Sequence, residues 1–481
     1  MILPIIARIR PRNLFTGSVL VFLAVTFYTY PGGQLAPSTS LSDHQGAAEI
    51  NDLDGRNWCS VDDIVNGHWV ESPPVESIEQ LQQKFFHHFN RRMRCDPITV
   101  NPGQTDKEAM EQRAMQIGSP TFVPRGEGCL VRQTPWRDMI KMILRMPAGV
   151  TVIGDSIGQQ LIGTFENMLL QADGLVKDHS NSVWDRTIYM DPSKPETLQL
   201  LEEAGVSIKR LEVPLVTHWR THHLGNKTDL DVGFASIEKY ERAPYEPVEW
   251  FEMFHENLRK MYGLLDDQDQ DQGGEGLFTR DDVRPEDSVI IMQTGPHWTE
   301  HELGHDMSNE DALSGFKNMV DMTESRLRAL PYPVNILWQT IASPHIDCQA
   351  ATRFENQRDD ISSPLDVNKA APHNHDRMAL MNEYLRSKFS ADRQRPSSWL
   401  SNLLLPGSWR TASVSHTVRL TDVWPLSVKR PEAHTVPHKG DCLHYCETGV
   451  PDEWFKLCWH MIMEDEKNRD YEYRGVPASN S

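Results

Sequence analysis

Short apolar runs alternate with longer segments of helical periodicity over most of the chain. Runs bounded by turn residues predict buried strands at 151–153, 206–216, 288–293, 334–340 and 418–423. Apolar residues at helical spacing predict helices at 134–146, 157–170, 247–265, 308–330, 376–389 and 452–463. Strands that alternate with helices predict an α/β fold, a three-layer sandwich with a mostly parallel central sheet.

Local signals refine the ends of these elements. Thr134, which precedes a proline, and Ser308 are the predicted N-caps of two of the helices. Nearer the N-terminus, residues 77–93 have helical periodicity, and residues 66–70 combine a turn with a strand-like pair. The stretch 110–128 shows neither period and is predicted to be irregular.

The N-terminal pattern is different. Three arginines precede an apolar run at 14–30, which predicts a transmembrane signal anchor with residues 1–13 in the cytoplasm. A cleaved signal peptide is the alternative, because the apolar core is short, although no small-residue cleavage site follows it. Residues 31–57 are polar and predict a stem, before a globular domain at 58–465 and a C-terminal tail at 466–481. Either interpretation places the globular domain in the secretory lumen or outside the cell.

Composition agrees with a globular protein in that compartment. The 481 residues are 39% hydrophobic and include 13 tryptophans, enough to bury a sizeable core. The formal net charge of −20 argues against nucleic acid as the main partner. Asn226 begins an Asn-Lys-Thr sequence, which is a glycosylation acceptor when it is luminal and exposed.

The cysteines favour disulfides over zinc, because they are spread along the chain and form no Cys-x-x-Cys pair. Their number is seven, so at least one thiol is free or intermolecular. The candidates for disulfide bonds are Cys59, Cys95, Cys129, Cys348, Cys442, Cys446 and Cys458.

The tripeptide Gly154-Asp155-Ser156 separates the predicted strand at 151–153 from the helix at 157–170. A serine there points its hydroxyl at the C-terminal edge of the sheet, where free N–H groups of the first helical turn stabilise an anion. Ser156 is therefore a candidate nucleophile. By itself the tripeptide fits an ordinary turn and cap equally well, since Asp and Ser are common in both.

A serine nucleophile needs a histidine base and a carboxylate that holds the base in the right tautomer. Asp441 and His444 are three residues apart, and on one turn of the chain their side chains project to the same side. One imidazole nitrogen then meets the carboxylate and the other faces the nucleophile. Cys442 and Cys446 bracket the histidine, and bridges from them to other segments would stiffen this stretch. Alone, the pair also fits a surface histidine in a cysteine-rich turn.

Together these motifs resemble the PC-esterase superfamily and, within it, the plant trichome-birefringence-like polysaccharide O-acetyltransferases. The most specific block is Asp-Cys-Leu-His-Tyr-Cys at 441–446, followed by Gly-Val-Pro-Asp-Glu-Trp at 449–454. Three blocks at 59–70, 293–298 and 338–345 also resemble family motifs, in the family's order. The likeness therefore runs in patches over most of the globular domain.

The resemblance implies an SGNH-hydrolase-like fold and transfer of an acyl group, usually acetyl, to or from the hydroxyls of a glycan. It implies Ser156 as the acyl nucleophile, His444 as the general base and Asp441 as the residue that orients the base. No tightly bound cofactor is expected, and a transferase would draw on an acetyl donor, acetyl-CoA or another. The implied partners are a polysaccharide or other glycan and the membrane, in a single-pass type II protein of the Golgi or secretory pathway. Transferase and esterase both stay open, and the family favours a transferase.

Acyl transfer also needs N–H donors for the tetrahedral oxyanion. The N–H of Ser156 is one candidate, and Gly295 and His297, in the turn after the third strand, are the next. The other predicted site residues are their neighbours Gly154, Asp155, Gln159 and Trp298. Plant relatives often carry an arginine where this chain has Gln159, whose amide donates hydrogen bonds but has no charge. The family's Gly-His-Trp-Trp pattern is also altered here, which suggests a distant relative.

Two other functions fit parts of the sequence. His301, Glu302 and His305 match the His-Glu-x-x-His motif of a zinc metallopeptidase, with Glu324 as a candidate third ligand. That motif requires a helix with both histidines on one face, but it contains a glycine, and Ser308 starts a new helix. The third interpretation is a glycan-binding relative without activity. The serine mechanism is preferred because all three of its residues are present.

Overall fold

The computed structural model describes residues 57–85, 95–97, 100–169, 174–178, 186–225, 227–234, 250–261, 288–303, 308–332, 334–345, 348–351, 353–354, 375–389, 416–436 and 441–464. These residues belong to the unit Asn51–Ser481. The predicted cytoplasmic tail and signal anchor, nearly all of the stem, the C-terminal tail and Asn226 lie outside them. Within the described part of the chain, no helix combines the length and the apolar character that a membrane crossing requires.

The secondary structure alternates between strands and helices. The strands are β1 (His68–Val70), β2 (Thr121–Val123), β3 (Val150–Gly154), β4 (Val176–Asp178), β5 (Arg186–Met190), β6 (Val216–Arg220), β7 (Val289–Met292), β8 (Asn335–Gln339), β9 (Thr417–Thr421), β10 (His434–Val436) and β11 (Asp441–Tyr445). The helices are α1 (Val61–Val65), α2 (Ile78–Phe85), α3 (Asp106–Gly118), α4 (Trp136–Leu144), α5 (Ser156–Leu169), α6 (Pro195–Ala204), α7 (Lys227–Gly233), α8 (Trp250–Met261), α9 (Glu300–Leu303), α10 (Asn309–Arg328), α11 (His375–Phe389), α12 (Trp424–Ser427) and α13 (Val450–Met463).

A seven-stranded sheet in the order β4-β5-β6-β3-β7-β8-β9 forms the centre of the fold. The five strands from β6 to β9 in this order are parallel, while β5 runs antiparallel to both of its neighbours. The predicted α/β fold with a mostly parallel sheet is therefore confirmed. From β3 the chain moves first to one side of the sheet, to β6, and later to the other side, to β7. The carboxyl end of β3 is thus a topological switch point, which is where open α/β sheets bind ligands.

Helices cover the sheet in two groups. α5 packs against α13 and α4, whereas α10 packs against α11 and α7. Because parallel crossovers are right-handed, helices that follow crossovers in opposite directions lie on opposite faces of the sheet. The arrangement is compatible with the predicted three-layer sandwich. The parallel strands explain why the sequence shows continuous apolar runs, since β3, β7 and β8 are buried at every position.

The predicted strand at 206–216 is wrong over most of its length. Residues Ile208–Glu212 form a 3₁₀ helix, and the strand starts only at Val216. The fully buried Arg210 accounts for this, because its guanidinium donates to the backbone carbonyls of Leu144, Ile143, Val213 and Pro214. An arginine that satisfies carbonyls holds the segment in a turn that hydrophobic periodicity does not reveal.

The stretch 110–128, predicted to be irregular, contains most of α3 and the whole of β2. The signal for this helix lies upstream, where Thr105 and Glu108 form a capping box. Its apolar stripe is weak because the buried Arg113 faces inwards and donates to the carbonyls of Glu432 and His434. At a second helix the predicted cap is displaced by one residue: Pro135 is the N-cap of α4, and Thr134 accepts a hydrogen bond from the Trp459 indole.

Six cysteines are paired as disulfides, and Cys458 is buried with a free thiol. The pairs are Cys59–Cys129, Cys95–Cys446 and Cys348–Cys442. The last two end on either side of His444. Both of the bridges therefore tie the short strand β11 to distant parts of the chain.

Candidate active site

The turn between β3 and α5 presents Ser156 at the edge of the sheet. Gly154 is required there, because a Cβ on it would lie 2.5 Å from the carbonyl oxygen of Gln293. Asp155 is fully buried and accepts a hydrogen bond from the N–H of Ile157 at 2.9 Å. Its carboxylate therefore stabilises the sharp turn from strand to helix, and the half-buried Ser156 follows as the first residue of α5.

Ser156, His444 and Asp441 are connected by hydrogen bonds. The Ser156 hydroxyl lies 2.6 Å from His444 Nε2, and His444 Nδ1 lies 3.0 Å from each carboxylate oxygen of Asp441. In the tautomer that suits catalysis, Nδ1–H donates to the aspartate and Nε2 accepts from the serine. The structure thus brings the three predicted residues together in the arrangement of a serine nucleophile, its base and an orienting carboxylate.

The carboxylate of Asp441 is held in its charged form. Burial alone would raise the pKa of Asp441, but hydrogen bonds from the His444 side chain and from the backbone N–H groups of His444 and Leu443 lower that pKa well below its usual value. The negative charge favours the imidazolium that forms when His444 takes a proton. About 30% of each side chain is exposed, 29% for His444 and 32% for Asp441, so the pair is accessible from solvent.

Asp441 and His444 project to the same side, as their spacing predicts, although both residues lie on strand β11. On a regular strand, residues three apart point to opposite faces. Here Asp441 Oδ1 accepts from the N–H groups of Leu443 at 3.3 Å and His444 at 3.1 Å, so the carboxylate folds back along its own backbone. The pairing of β11 with β10 is irregular at this end, which leaves room for the turn.

A buried glutamine links the helix that carries Ser156 to the strand that carries His444. The Gln160 amide donates from Nε2 to the carbonyl of Tyr445, and its Oε1 accepts from the Tyr445 N–H at 3.1 Å. Gln160 lies on α5, one turn after Ser156, and Tyr445 follows His444 directly. This pair of bonds therefore sets the position of β11 against α5. No role was predicted for Gln160 from the sequence. A glutamine on a helix that has no exposed positions nevertheless indicates a buried polar contact.

A second buried glutamine, Gln293 at the end of β7, supports the nucleophile turn from the other side. Its Oε1 accepts from the N–H of Gly158 at 3.3 Å, and its Nε2 donates to Asp155 Oδ2 at 3.4 Å. Its own backbone N–H donates to the carbonyl of Ile153. Gln293 was also absent from the predicted site, because its side-chain partners, Asp155 and Gly158, are more than 130 residues away in sequence and become neighbours only when β7 pairs with β3.

Strand β11 is also held from behind. His434 Nδ1 lies 3.0 Å from the carbonyl oxygen of His444, and His434 Nε2 lies 2.7 Å from His345 Nδ1. The Tyr445 hydroxyl donates to the carbonyl of Ser343. Burial lowers the pKa of His434 well below its ordinary value, so this histidine is neutral. The backbone of the base strand is thus fixed by buried polar contacts on both sides.

The other predicted site residues occupy different environments. Gly295 is buried, and a Cβ there would overlap the Ile341 side chain. Gln159 is 2% exposed, within the core side of α5. Trp298 is fully buried between Phe316 and Phe234, and its indole N–H donates to Thr294 Oγ1. Trp298 therefore packs in the core, where it stabilises the fold.

His297 and Glu302 form a cluster with His222. Glu302 Oε1 lies 2.5 Å from His297 Nδ1, and Oε2 lies 3.1 Å from His222 Nδ1. The two imidazole rings are stacked, with centroids 3.6 Å apart and planes 6° from parallel. Burial alone would raise the pKa of Glu302, but the hydrogen bonds to the two histidines lower it well below its usual value. The His297 ring is thus bonded to Glu302 and stacked on His222. The same residue lies in the turn that was predicted to bind an oxyanion.

The described residues include only part of the His-Glu-x-x-His motif. Glu302 lies in the four-residue helix α9, the His301 side chain and His305 lie outside the described residues, and the partners of Glu302 come from other segments. The candidate third ligand, Glu324, forms ion pairs with Arg328 and Lys388 instead.

No protein-family model matches the chain, and neither does any curated protein sequence. The link to the PC-esterase superfamily stays a resemblance of short motif blocks.

Proposed function

We propose that the protein is a serine-dependent acyl esterase or O-acyltransferase. The observation that carries this proposal is the continuous hydrogen-bonded series from Ser156 through His444 to Asp441, located at the switch point of a parallel sheet. Ser156 lies 288 residues before His444 in the sequence, and the fold brings it to the pair that His444 forms with Asp441. Side chains in that relation support nucleophilic catalysis better than an ordinary surface role.

In the proposed reaction Ser156 Oγ attacks the carbonyl carbon of an acyl ester while His444 Nε2 takes the hydroxyl proton. Asp441 stabilises the resulting imidazolium. The oxyanion of the tetrahedral intermediate accepts a hydrogen bond from the backbone N–H of Ser156. As the C–O bond to the leaving alcohol breaks, His444 returns the proton to that alcohol, and an acyl-enzyme remains on Ser156.

The second half of the reaction decides between the two activities. Either water or a sugar hydroxyl attacks the acyl carbon while His444 takes its proton. The bond from that carbon to Ser156 Oγ then breaks, and His444 returns the proton to Oγ. A transferase must exclude water long enough for the sugar to react. The acetyl group, the glycan and a Golgi or secretory location are proposed from the family resemblance alone, and that resemblance favours transfer.

The direct test is activity-based labelling together with substitution of the nucleophile. A fluorophosphonate probe is expected to label the full-length protein. Ser156→Ala should abolish both the labelling and the acyl chemistry, which is release of acetate from acetylated xylan for an esterase and acetylation of xylan from an acetyl donor for a transferase. Triad substitutions lower kcat on the order of 10⁴-fold or more. Ser387→Ala, at an exposed position on α11, is the matched control and should leave both unchanged. Full activity in Ser156→Ala would refute the proposal.

Product analysis separates the remaining functions. With an acetyl donor and deacetylated xylan together, a transferase yields acetylated glycan, whereas an esterase yields only acetate. A protein that binds the glycan but never labels with the probe would instead be a binding relative without activity.

A further inference from the structure

In the described part of the chain, His222, His297 and Glu302 form a second cluster of titratable side chains, besides that of Ser156, His444 and Asp441. The proposed acyl transfer has no role for this cluster as a whole. His222 follows β6 by two residues and His297 follows β7 by five. Both strands flank β3 in parallel, so the cluster lies on the same edge of the sheet as Ser156. Glu302 reaches it from the short helix α9.

We propose that these three side chains bind a divalent transition-metal ion, zinc before others. Two imidazoles and one carboxylate are a ligand set that zinc uses in open sites, where a fourth position is left for water or a substrate. Magnesium and calcium prefer oxygen ligands alone, and the two imidazoles select against them. The proposal rests on this geometry and not on the proposed acyl transfer.

The distances fit such an ion. One donor atom from each residue lies within 4.8 Å of the other two. In a tetrahedral zinc site with bonds of roughly 2.0–2.1 Å, ligand atoms are about 3.3 Å apart. Glu302 Oε1 lies 2.5 Å from His297 Nδ1, and the other oxygen, Oε2, lies 3.1 Å from His222 Nδ1. Because the two rings are stacked nearly parallel, they would tilt towards each other for both Nδ1 atoms to bind one ion, which would take the place of the two hydrogen bonds to Glu302.

The surroundings hold the ligands in place. Thr294 Oγ1 donates to the carbonyl of His222 at 2.6 Å, and the carbonyl of His297 lies 2.9 Å from His223 Nε2. Ligands fixed by their neighbours lose little freedom when they bind a metal. The three ligand side chains are 12–22% exposed, so one side of the cluster is open to solvent. An ion there would also join the turns after β6 and β7.

The orientation of the Glu302 carboxylate distinguishes the proposed site from a His-Glu-x-x-His zinc site. The His-Glu-x-x-His pattern would pair the metal with His301 and His305, whereas the structure turns the Glu302 carboxylate towards His222 and His297. The two ligand sets share no histidine. Variants of the two pairs therefore separate the two hypotheses.

The experiment uses the tag-free, full-length protein. Zinc content after dialysis and isothermal titration of the metal-free protein with ZnCl₂ should both give one ion per chain. Cobalt should give the visible absorption of a four-coordinate ion with nitrogen ligands. Glu302→Gln and His222→Gln should weaken zinc binding by about 100-fold or more, and zinc should raise the melting temperature of the wild type but not of these variants.

The controls decide the assignment. His68→Ala, an exposed histidine on β1, should bind zinc like the wild type. His301→Ala and His305→Ala should also retain binding, and loss of binding in these two would overturn the proposal in favour of the sequence motif. Absence of stoichiometric zinc binding by the wild-type protein would overturn it as well, whether or not the variants fold. Ser156→Ala should bind zinc normally, which keeps this result separate from the test of acyl transfer.

Discussion

Gln160 and Tyr445, which are 285 residues apart in sequence, are joined by two hydrogen bonds. The glutamine amide donates to the carbonyl and accepts from the N–H of Tyr445, as the backbone of a paired strand does. Because Tyr445 follows His444, this pairing sets the distance between the base and Ser156. The relationship makes Gln160 a positioning residue, one that acts on the reaction through another side chain.

Replacement of Gln160 by methionine keeps the length of the side chain but removes both hydrogen bonds. The buried N–H and carbonyl of Tyr445 lose their partners, at about 1–3 kcal/mol each. We expect kcat on an acetate ester to fall on the order of 10²-fold, with KM little changed, because a base displaced by about an ångström loses that much rate. Steady-state kinetics and a urea melt measure the two effects. Gln199→Met, at an exposed position on α6, should change neither.

Asp441→Asn should inactivate the protein without unfolding it. Asparagine Oδ1 can still accept from the N–H groups of Leu443 and His444, so the turn in β11 is retained. Its NH₂ group, however, donates to His444 Nδ1 and forces the proton onto Nε2, where the imidazole can no longer accept from Ser156. We expect a loss of kcat on the order of 10⁴-fold. Kinetics and circular dichroism check it, and wild-type activity in a folded variant would contradict the assigned tautomer.

The bridge Cys348–Cys442 should support activity as well as stability. Replacing both cysteines by serine opens a loop of 94 residues and should lower the free energy of unfolding by roughly 2–5 kcal/mol. Because Cys442 lies two residues before His444, kcat should fall too. The matched control is the double replacement of Cys59 and Cys129 by serine. Their bridge closes a loop of 70 residues and does not attach to the segment that carries His444. That variant should lose comparable stability and keep its kcat while folded; equal losses of kcat would count against a positioning effect.

The thiol of Cys458 should be unreactive until the protein unfolds. Burial raises the pKa of Cys458 to about 12, so almost none of it is the reactive thiolate near neutral pH. Iodoacetamide at pH 8 should add no carbamidomethyl group to the native protein. In denaturant without reductant it should add one, at this residue. Mass spectrometry of the peptides distinguishes the two results, and labelling of native protein would contradict the buried, protonated state.

Acid should destabilise the fold below about pH 6.5. Burial lowers the pKa of His460 to about 3 and that of His223 to about 4, while the unfolded chain titrates near 6.5. Between these values the unfolded state binds more protons than the folded state, so the stability present above pH 6.5 is lost as the pH falls. Each histidine contributes a slope of about 1.4 kcal/mol per pH unit in that window.

Urea melts at pH 7.5, 6.5 and 5.5 measure this dependence. His460→Gln should show a smaller slope than the wild type, whereas His68→Ala, at an exposed position, should show the same slope. A free energy of unfolding that is constant across this range would contradict the neutral, buried state of these histidines.

Much of the central fold could be predicted from local pattern. The runs at β3, β7 and β8 are continuous and apolar because these strands are buried on both faces, and Ser308 caps α10 as its position before the helix predicts. The strand–turn–helix around Ser156 follows in the same way. The edge strand β4 and its neighbour β5 were not predicted, because β4 is short and exposed and β5 alternates between buried and half-buried positions, so neither has such a run.

The sequence by itself determined which residues carry the candidate chemistry, because a serine at a strand–helix turn and an aspartate–histidine pair are local patterns. Only the tertiary structure decided what those residues contact. Gln160, Gln293, Arg210 and Glu302 each have a partner in a distant segment, which local periodicity does not reveal. The physical reason is that a buried polar group must find a hydrogen-bonding partner wherever packing brings one within reach. Ser156 is thus evident in the sequence, whereas the contacts that set His444 against it exist only in the folded chain.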